Sequence, residues 1–499
     1  MSRGTFRSKN KVGETMSFQT DSSSGTTFDP TVTFLPGLSD RVSWDLGEGG
    51  GYIADSSLSY TYPDTGTTKT VTLRTNKLSN LYTATFASSN IVGNLDMTGW
   101  DNLGLTFSIF GNPDLTGITH TASTQTFSTY QANSCGLTGN HDMSMLPGLG
   151  GSFYITSNPN LTSITHTAST EVFSQYQAYF CNLTGNHDLS MFPKLGGSVY
   201  LFNNSLLTGI THTASTEVFS QYQAQTCGLT GNHDMSMLPG LGGVFRINSN
   251  SALTSITHAA STEVFTQYYA YGCGLTGNHD MSMLPGLGGQ FYILSNPLLT
   301  GITHTTSTEV FSQYRAEGCG LTGNHDMSMF PNLGGQFFIT SNSALTGITH
   351  TASTEVFSVY YAYSCGLTGN HDMSMLPGLG GNFQIYSNSL LTGITHTAST
   401  EVFSVYNASF CNLDYVNFLP LSGATINGYI GLQSNSMSVT DVNHILVDFD
   451  NMSTNLNPAG WTGTTLDISG TNAAPDSSSG GFDGIAALSS LTGGTNNWT

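Results

Sequence analysis

The chain has 499 residues, of which only 8% are charged and 11% aromatic, and its formal net charge is −20. Between residues 120 and 411 the only basic side chains are Lys194, Arg246 and Arg315, so no basic stripe exists to neutralise phosphates and nucleic-acid binding is excluded. No apolar run is long enough to cross a bilayer, and the basic head formed by Arg3, Arg7, Lys9 and Lys11 is not followed by the apolar stretch of a secretory signal.

Residues 1–12 therefore read as a basic anchor segment, and residues 13–75 as a region of short strands such as Thr31-Val-Thr-Phe34 and Thr70-Val-Thr-Leu73. Between these strands stand Trp44-Asp-Leu-Gly-Glu-Gly49 and Ser59-Tyr-Thr-Tyr62-Pro-Asp-Thr-Gly66. They resemble the W-D-F-G-D-G and H-x-Y-x-x-x-G-x-Y signatures of PKD-type domains, with Leu46, Glu48 and Tyr60 in place of the family's Phe, Asp and His. The resemblance implies an Ig-like β-sandwich over residues 13–75.

From residue 78 to 437 the chain repeats. Cys135, Cys181, Cys227, Cys273, Cys319, Cys365 and Cys411 stand 46 residues apart, with Asn158, Asn204, Asn250, Asn296, Asn342 and Asn388 at the midpoints. The period is thus 23, and one structural site holds Cys and Asn alternately. Ser89 and Asn112 open the series and Asn435 closes it one residue late, which gives about sixteen coils. Such regularity belongs to a solenoid. Both coil types resemble the leucine-rich repeat pattern L-x-x-L-x-L-x-x-N/C-x-L, which implies a strand on every coil followed by a sharp turn. At that turn a buried amide or thiol can pair the freed backbone groups. Equivalent cysteines lie two coils apart, about 10 Å by strand spacing, and a disulfide needs Cα atoms within about 7 Å. Seven buried, reduced thiols are expected, and neither zinc nor an iron–sulfur cluster fits the same distance.

Thirteen of the fourteen histidines are repeat positions, in I-T-H (His120, His166 and onward) and in G-N-H-D (His141, His187 and onward). Counted from the leucine after the corner, the I-T-H histidine and the Asp of G-N-H-D (Asp142, Asp188) fall at one offset on alternate coils, so a column of alternating His and Asp is expected. Metal ligation or acid–base chemistry would need one such constellation; near-identical copies along a stack favour a structural ladder. The glutamates of S-T-E-V-F read as a solvated rim, and the Met pair of D-M-S-M (Met143, Met145) as core filler. The P-G-L-G-G segment lacks the features of a phosphate loop.

What varies between coils is the outward strand face. Four residues before the corner come Tyr154, Tyr200, Arg246, Tyr269, Tyr292, Arg315, Phe338 and Tyr361, and two before it Tyr179, Phe202, Tyr271, Tyr363 and Tyr386, interspersed with Gln, Asn and Thr. By the pleat both sets face one side. Drift would favour small polar residues there, so an aromatic, Gln- and Arg-bearing surface reads as a recognition face.

Residues 438–499 form a C-terminal cap. Ser438 or Thr440 can cap a helix through Val442, Ile445, Leu446 and Phe449; a strand over Thr465–Ser469, a flexible loop at Ser478–Gly481 and a small helix over Gly484–Leu491 come after it. The fold class is thus mainly β, a leucine-rich repeat solenoid with an Ig/PKD-like sandwich at one end and a small α/β cap at the other. This arrangement, with its L-D-I-S-G-T-N-A-A-P segment and terminal Trp498-Thr499, resembles virion proteins of tailed bacteriophages. The resemblance implies a non-enzymatic tail, fibre or decoration protein without a cofactor, assembled in the host cytoplasm. Its expected partners are other virion proteins, through the N-terminal region, and a host-surface glycan or protein; self-association is compatible with it. The alternatives are a bacterial surface adhesin and a purely structural decoration protein.

Overall fold

In the computed structural model residues 13–22, 26–38, 40–63, 68–456 and 464–493 are described; the basic segment 1–12 and Trp498–Thr499 lie outside them. The chain is mainly β, 42% strand and 8% helix, and forms a β-solenoid of about 15 turns, the intervals between the sixteen corner sites read from the sequence. Contacts gather it into two compact units, one of residues 1–230 with 237–241, the other of 231–236 with 242–499.

Each turn places one strand on a front sheet. In the first unit Leu105–Ser108, Phe127–Gln131, Gly151–Tyr154, Phe173–Gln177 and Leu195–Tyr200 pair in parallel, in chain order. In the second, Phe265–Tyr269, Leu287–Tyr292, Phe311–Arg315, Gly335–Phe338, Phe357–Tyr361, Leu379–Gln384 and Val402–Asn407 do the same. The other side of each turn is also a strand, where the repeat pattern implies a helical or 3₁₀ segment. The reason is local: L-T-G-N-H-D and L-T-G-I-T-H carry Thr, Ile and Gly rather than helix formers. These back strands pair two by two, for example Thr138–Asp142 with Asn160–Thr165 and Thr322–Met327 with Ala344–His350.

The corners behave as the Asn/Cys alternation predicts. The residue before each corner is left-handed, as at Ser157 (φ 58°) and Ser341 (φ 59°), and the strand leaves its pleat there. The Asn296 amide donates to the carbonyls of Ile293 (2.6 Å) and Ala270 (2.9 Å) and accepts from the Leu275 N–H at 3.3 Å. At the next corner the Cys319 thiol makes two weak contacts, 3.3 Å to the Ile293 carbonyl and 3.8 Å to that of Glu317. All seven cysteines are buried and unbridged, and burial pushes their pKa values up, Cys319 to about 11.

Inward of each front strand lies a feature that the spacing of Cys and Asn does not announce, a buried aromatic column five residues before the corner. Tyr268, Phe291, Tyr314, Phe337, Tyr360 and Phe383 stack at centroid distances of 5.4, 5.0, 5.4, 5.1 and 5.5 Å. The tyrosine hydroxyls organise the histidines. Tyr314 Oη lies 3.0 Å from His304 Nε2 and 2.8 Å from His325 Nε2, so one hydroxyl bridges an I-T-H and a G-N-H-D imidazole.

This overturns the expected column of alternating His and Asp. Asp142 is paired with Thr165 and His141 with Ile164, because the register slips by one residue after Gly139, whose φ is +64°. The slip puts the imidazoles inside and the carboxylates outside, where Asp142 accepts from the Ser144 N–H at 2.9 Å. Among the described residues no group of three or more His, Cys, Asp or Glu is placed to hold a metal. The Met pair also divides: Met143 is fully buried, but its partner Met145 is 45% exposed, and the same holds at Met373 and Met375.

At the N-terminal end Glu14–Thr20 pairs antiparallel with Ile91–Asp96, the first back strand, and Thr31–Phe34 pairs antiparallel with Leu81–Thr85, the first front strand. Phe18, Phe28, Trp44, Phe86 and Trp100 are all buried and in ring contact, so the segment closes the solenoid core with its own side chains. At the C-terminal end the helix Val439–Asn451 begins with a capping box between Ser438 and Asp441. The small helix spans Gly484–Thr492. The expected flexible loop is a short 3₁₀ turn, Ser479–Gly481. It is held because Asn443 donates to Asp476 at 2.7 Å and Asp476 accepts the Ser479 N–H at 2.8 Å.

Candidate binding face of the solenoid

Alternation along each front strand decides which side chains reach the surface. In Phe311-Ser-Gln-Tyr-Arg315 the phenylalanine and Tyr314 are buried, Ser312 is exposed, and Gln313 and Arg315 are half-buried. The outward set therefore includes a third row, six residues before the corner, beyond the two expected from the sequence: Gln175, Gln267, Gln290, Gln313 and Gln336. The pleat that assigned the other two rows assigns this one as well.

In the first unit Tyr154 donates to Gln175 at 2.5 Å. Tyr179 stacks on Phe202 with centroids 4.4 Å apart and planes at 10°, and Tyr200 packs edgewise on both. In the second unit the row four before the corner forms a continuous pile. Arg246 lies over Tyr269 at 5.2 Å, Tyr269 stacks on Tyr292 at 4.5 Å and 4°, and Arg315 sits over Tyr292 at 5.5 Å and over Phe338 at 4.9 Å. Tyr361 meets Phe338 edge-on. In the row beside it Tyr271 tilts against Tyr269, Tyr363 against Tyr361, and Tyr363 stacks on Tyr386 at 4.5 Å. Tyr269 and Tyr292 donate to Gln290 and Gln313 on the following turn.

The thirteen aromatic and arginine residues read from the sequence are thus all half-buried, and within each unit they lie on the outward side of its front strands. In the stacked pairs Tyr179–Phe202, Tyr269–Tyr292 and Tyr363–Tyr386 each ring covers one face of its neighbour, and the hydroxyls of Tyr154, Tyr269 and Tyr292 are taken up by glutamines. Burial raises the pKa values of Tyr269, Tyr361 and Tyr386.

The two arginines differ. Burial works against the charge of Arg315, but the Glu317 carboxylate, 2.6 Å away, outweighs it and raises the pKa. Arg246 has no carboxylate within ion-pair distance among the described residues. Its Nε and Nη2 are spent on the single Oε1 of Gln267, at 3.1 and 2.5 Å. A half-buried guanidinium clamped by an amide and a ring keeps its remaining N–H groups for an outside acceptor.

No protein-family model, curated protein or solved structure matches the chain. The functional character of this face rests on its geometry.

Proposed function

We propose that the chain is a non-enzymatic recognition scaffold whose front face binds an extended glycan or protein on a host surface. The observation that carries this is the confinement of variation: side chains change from coil to coil on the outward rows while the frames around them are copied. Arg246 adds a directional contact for an acidic or carbonyl oxygen, and the tyrosine edges add hydroxyls at fixed spacing. The finer identity belongs to the same proposal. The corner pattern supports a leucine-rich repeat variant, Trp44 and the strands around it support a PKD-like cap, and the resemblance to tailed-phage proteins supports a virion appendage; a bacterial surface adhesin would use the same face.

The test is attachment. Arg246→Gln combined with Tyr271→Ser and Tyr363→Ser is expected to abolish attachment to host cells while circular dichroism keeps its β signature. Unaltered attachment would overturn the proposal. One observation favours a second reading, a purely structural decoration protein: the rings are satisfied by each other, so the pile stabilises itself without a ligand. Under that reading neither cells nor glycans are bound, and the protein is found only with other virion proteins.

A further inference from the structure

The back of the solenoid carries a second, independent set of sites. Back strands pair two by two, and between successive pairs the sheet opens into a cleft. In the second unit one cleft, about 410 Å³, lies between Leu298–Thr303 and Thr322–Met327, and another, about 300 Å³, between Ala344–His350 and Thr368–Asp372. A third, about 280 Å³, lies beyond Leu390–Thr395 and is closed by Tyr415 and Asn417. The first unit has an equivalent of about 320 Å³ lined by His120 and Asn140.

The walls are built alike. In the Ala344–His350 cleft they are Thr346, Thr349 and His350 on one side and Asn370, Asp372 and Met375 on the other. The preceding cleft has Thr300, Thr303, His304, Asn324, Asp326 and Met329 at the same places. One end of each is pinned, where Thr368 donates to the Thr346 carbonyl at 3.3 Å and Thr322 to that of Thr300 at 3.2 Å. Past the cleft the same turns are joined again, where the Ser353 N–H donates to the Met375 carbonyl and the Ser307 N–H to that of Met329, each at 3.1 Å.

The chemistry narrows the occupant. No Lys or Arg lines either of these two clefts and each carries an aspartate; the Asp372 carboxyl is held below its usual range by hydrogen bonds from Ser374, so anions are repelled. The absence of three grouped metal donors among the described residues speaks against a cation. Thr hydroxyls and Asn amides both donate and accept, and a Met at the rim offers an apolar edge, which suits a neutral polyol. His350 is 92% buried, lines the cleft, and has an Nδ1 without a partner. Tyr360 has one hydroxyl proton for two imidazole Nε2 atoms, those of His350 and His371. Either tautomer of His350 satisfies that bridge, so the protonation of its Nδ1, an atom closed to solvent, follows from what Tyr360 does and not from a fixed donor.

We infer that these clefts are an array of sites for a neutral, extended polysaccharide strand, such as a β-1,4-linked glucan, one disaccharide per cleft. The spacing is the reason for a polymer: equivalent clefts recur every two turns, about 9.5 Å by strand spacing. In a β-1,4 chain alternate sugars are flipped, so the same edge recurs with every second sugar. Engaging two clefts at once makes the second contact intramolecular.

The inference does not depend on the front face, and the experiment separates the two. Calorimetric titration of the full chain with cellohexaose is expected to show binding at least about tenfold tighter than with cellobiose. Met329→Arg with Met375→Arg, exposed rim positions where a long cationic side chain crowds the mouth of each cleft, is expected to remove it. The Arg246→Gln, Tyr271→Ser, Tyr363→Ser variant should bind cellohexaose as the unaltered chain does. On the unaltered protein, ¹⁵N-histidine spectra should shift at His304 and His350 when cellohexaose is added. No cellohexaose binding, equal affinity for the dimer and hexamer, binding retained in the rim variant with unmoved histidine signals, or binding lost with the front-face variant would each overturn it.

Discussion

Asn296 and Cys319 occupy equivalent corners of neighbouring turns and hold them differently. The amide reaches four backbone groups and the thiol only two, both through weak sulfur contacts. Asn296→Ala is therefore expected to cost about 3 kcal/mol, because buried backbone groups are left unpaired, and Cys319→Ala about 1 kcal/mol; urea unfolding midpoints of the two variants decide it, and equal losses would refute the account. The histidines make a second prediction at this scale. Burial lowers His141, His187, His279 and His371 to about 4 and His350 and His396 to about 3, whereas an unfolded histidine takes its proton near pH 6.5. Between those values the unfolded chain binds more protons than the folded one, so stability falls as pH drops from about 6.5 toward 4. Melting temperatures should decline steeply across that window, and a flat profile would refute it.

At the scale of the element, the front strands are tied together by their own side chains. The Tyr269–Tyr292 stack and the arginines over it add interactions between successive turns that the outward alternation alone does not reveal. Replacing both tyrosines by Ser is expected to cost about 1 to 3 kcal/mol from lost stacking and cation–π contact. A surface whose rings stood free would lose almost nothing. Chemical denaturation of the double variant distinguishes the two, and the comparison also says how much of any lost binding is lost packing.

At the scale of the whole molecule, a solenoid needs covered ends. The strands Glu14–Thr20 and Thr31–Phe34 run antiparallel to the first strand of each face, and antiparallel addition ends the parallel pattern as well as filling the edge. A chain lacking residues 13–75 would expose Ile91–Asp96 and Leu81–Thr85 as open edges with the buried rings of Phe86 and Trp100 beside them. It is expected to self-associate, visible by light scattering on a sizing column; a stable monomer would contradict the capping role.

The sequence by itself determined the period, the corners and two of the three outward rows. Each of these comes from a strict spacing: 23 residues set the turn, the Asn or Cys every 23 residues sets the corner, and alternation sets the face. The helix at Val439–Asn451 was legible for the same kind of reason, since Ser438 and an apolar stripe are local signals. Tertiary structure decided what depends on register between turns. One extra residue on the partner strand, Thr162 opposite the Gly139–Asn140 step, turned the histidines inward to Tyr130 and left Asp142 outside, and no count along one chain shows which strand slips against which. Whether the surface rings stand free or lie on each other was likewise decided only when neighbouring turns came to strand distance. Stacking is a relation between residues 23 apart, and its geometry is fixed by the sheet rather than by either residue.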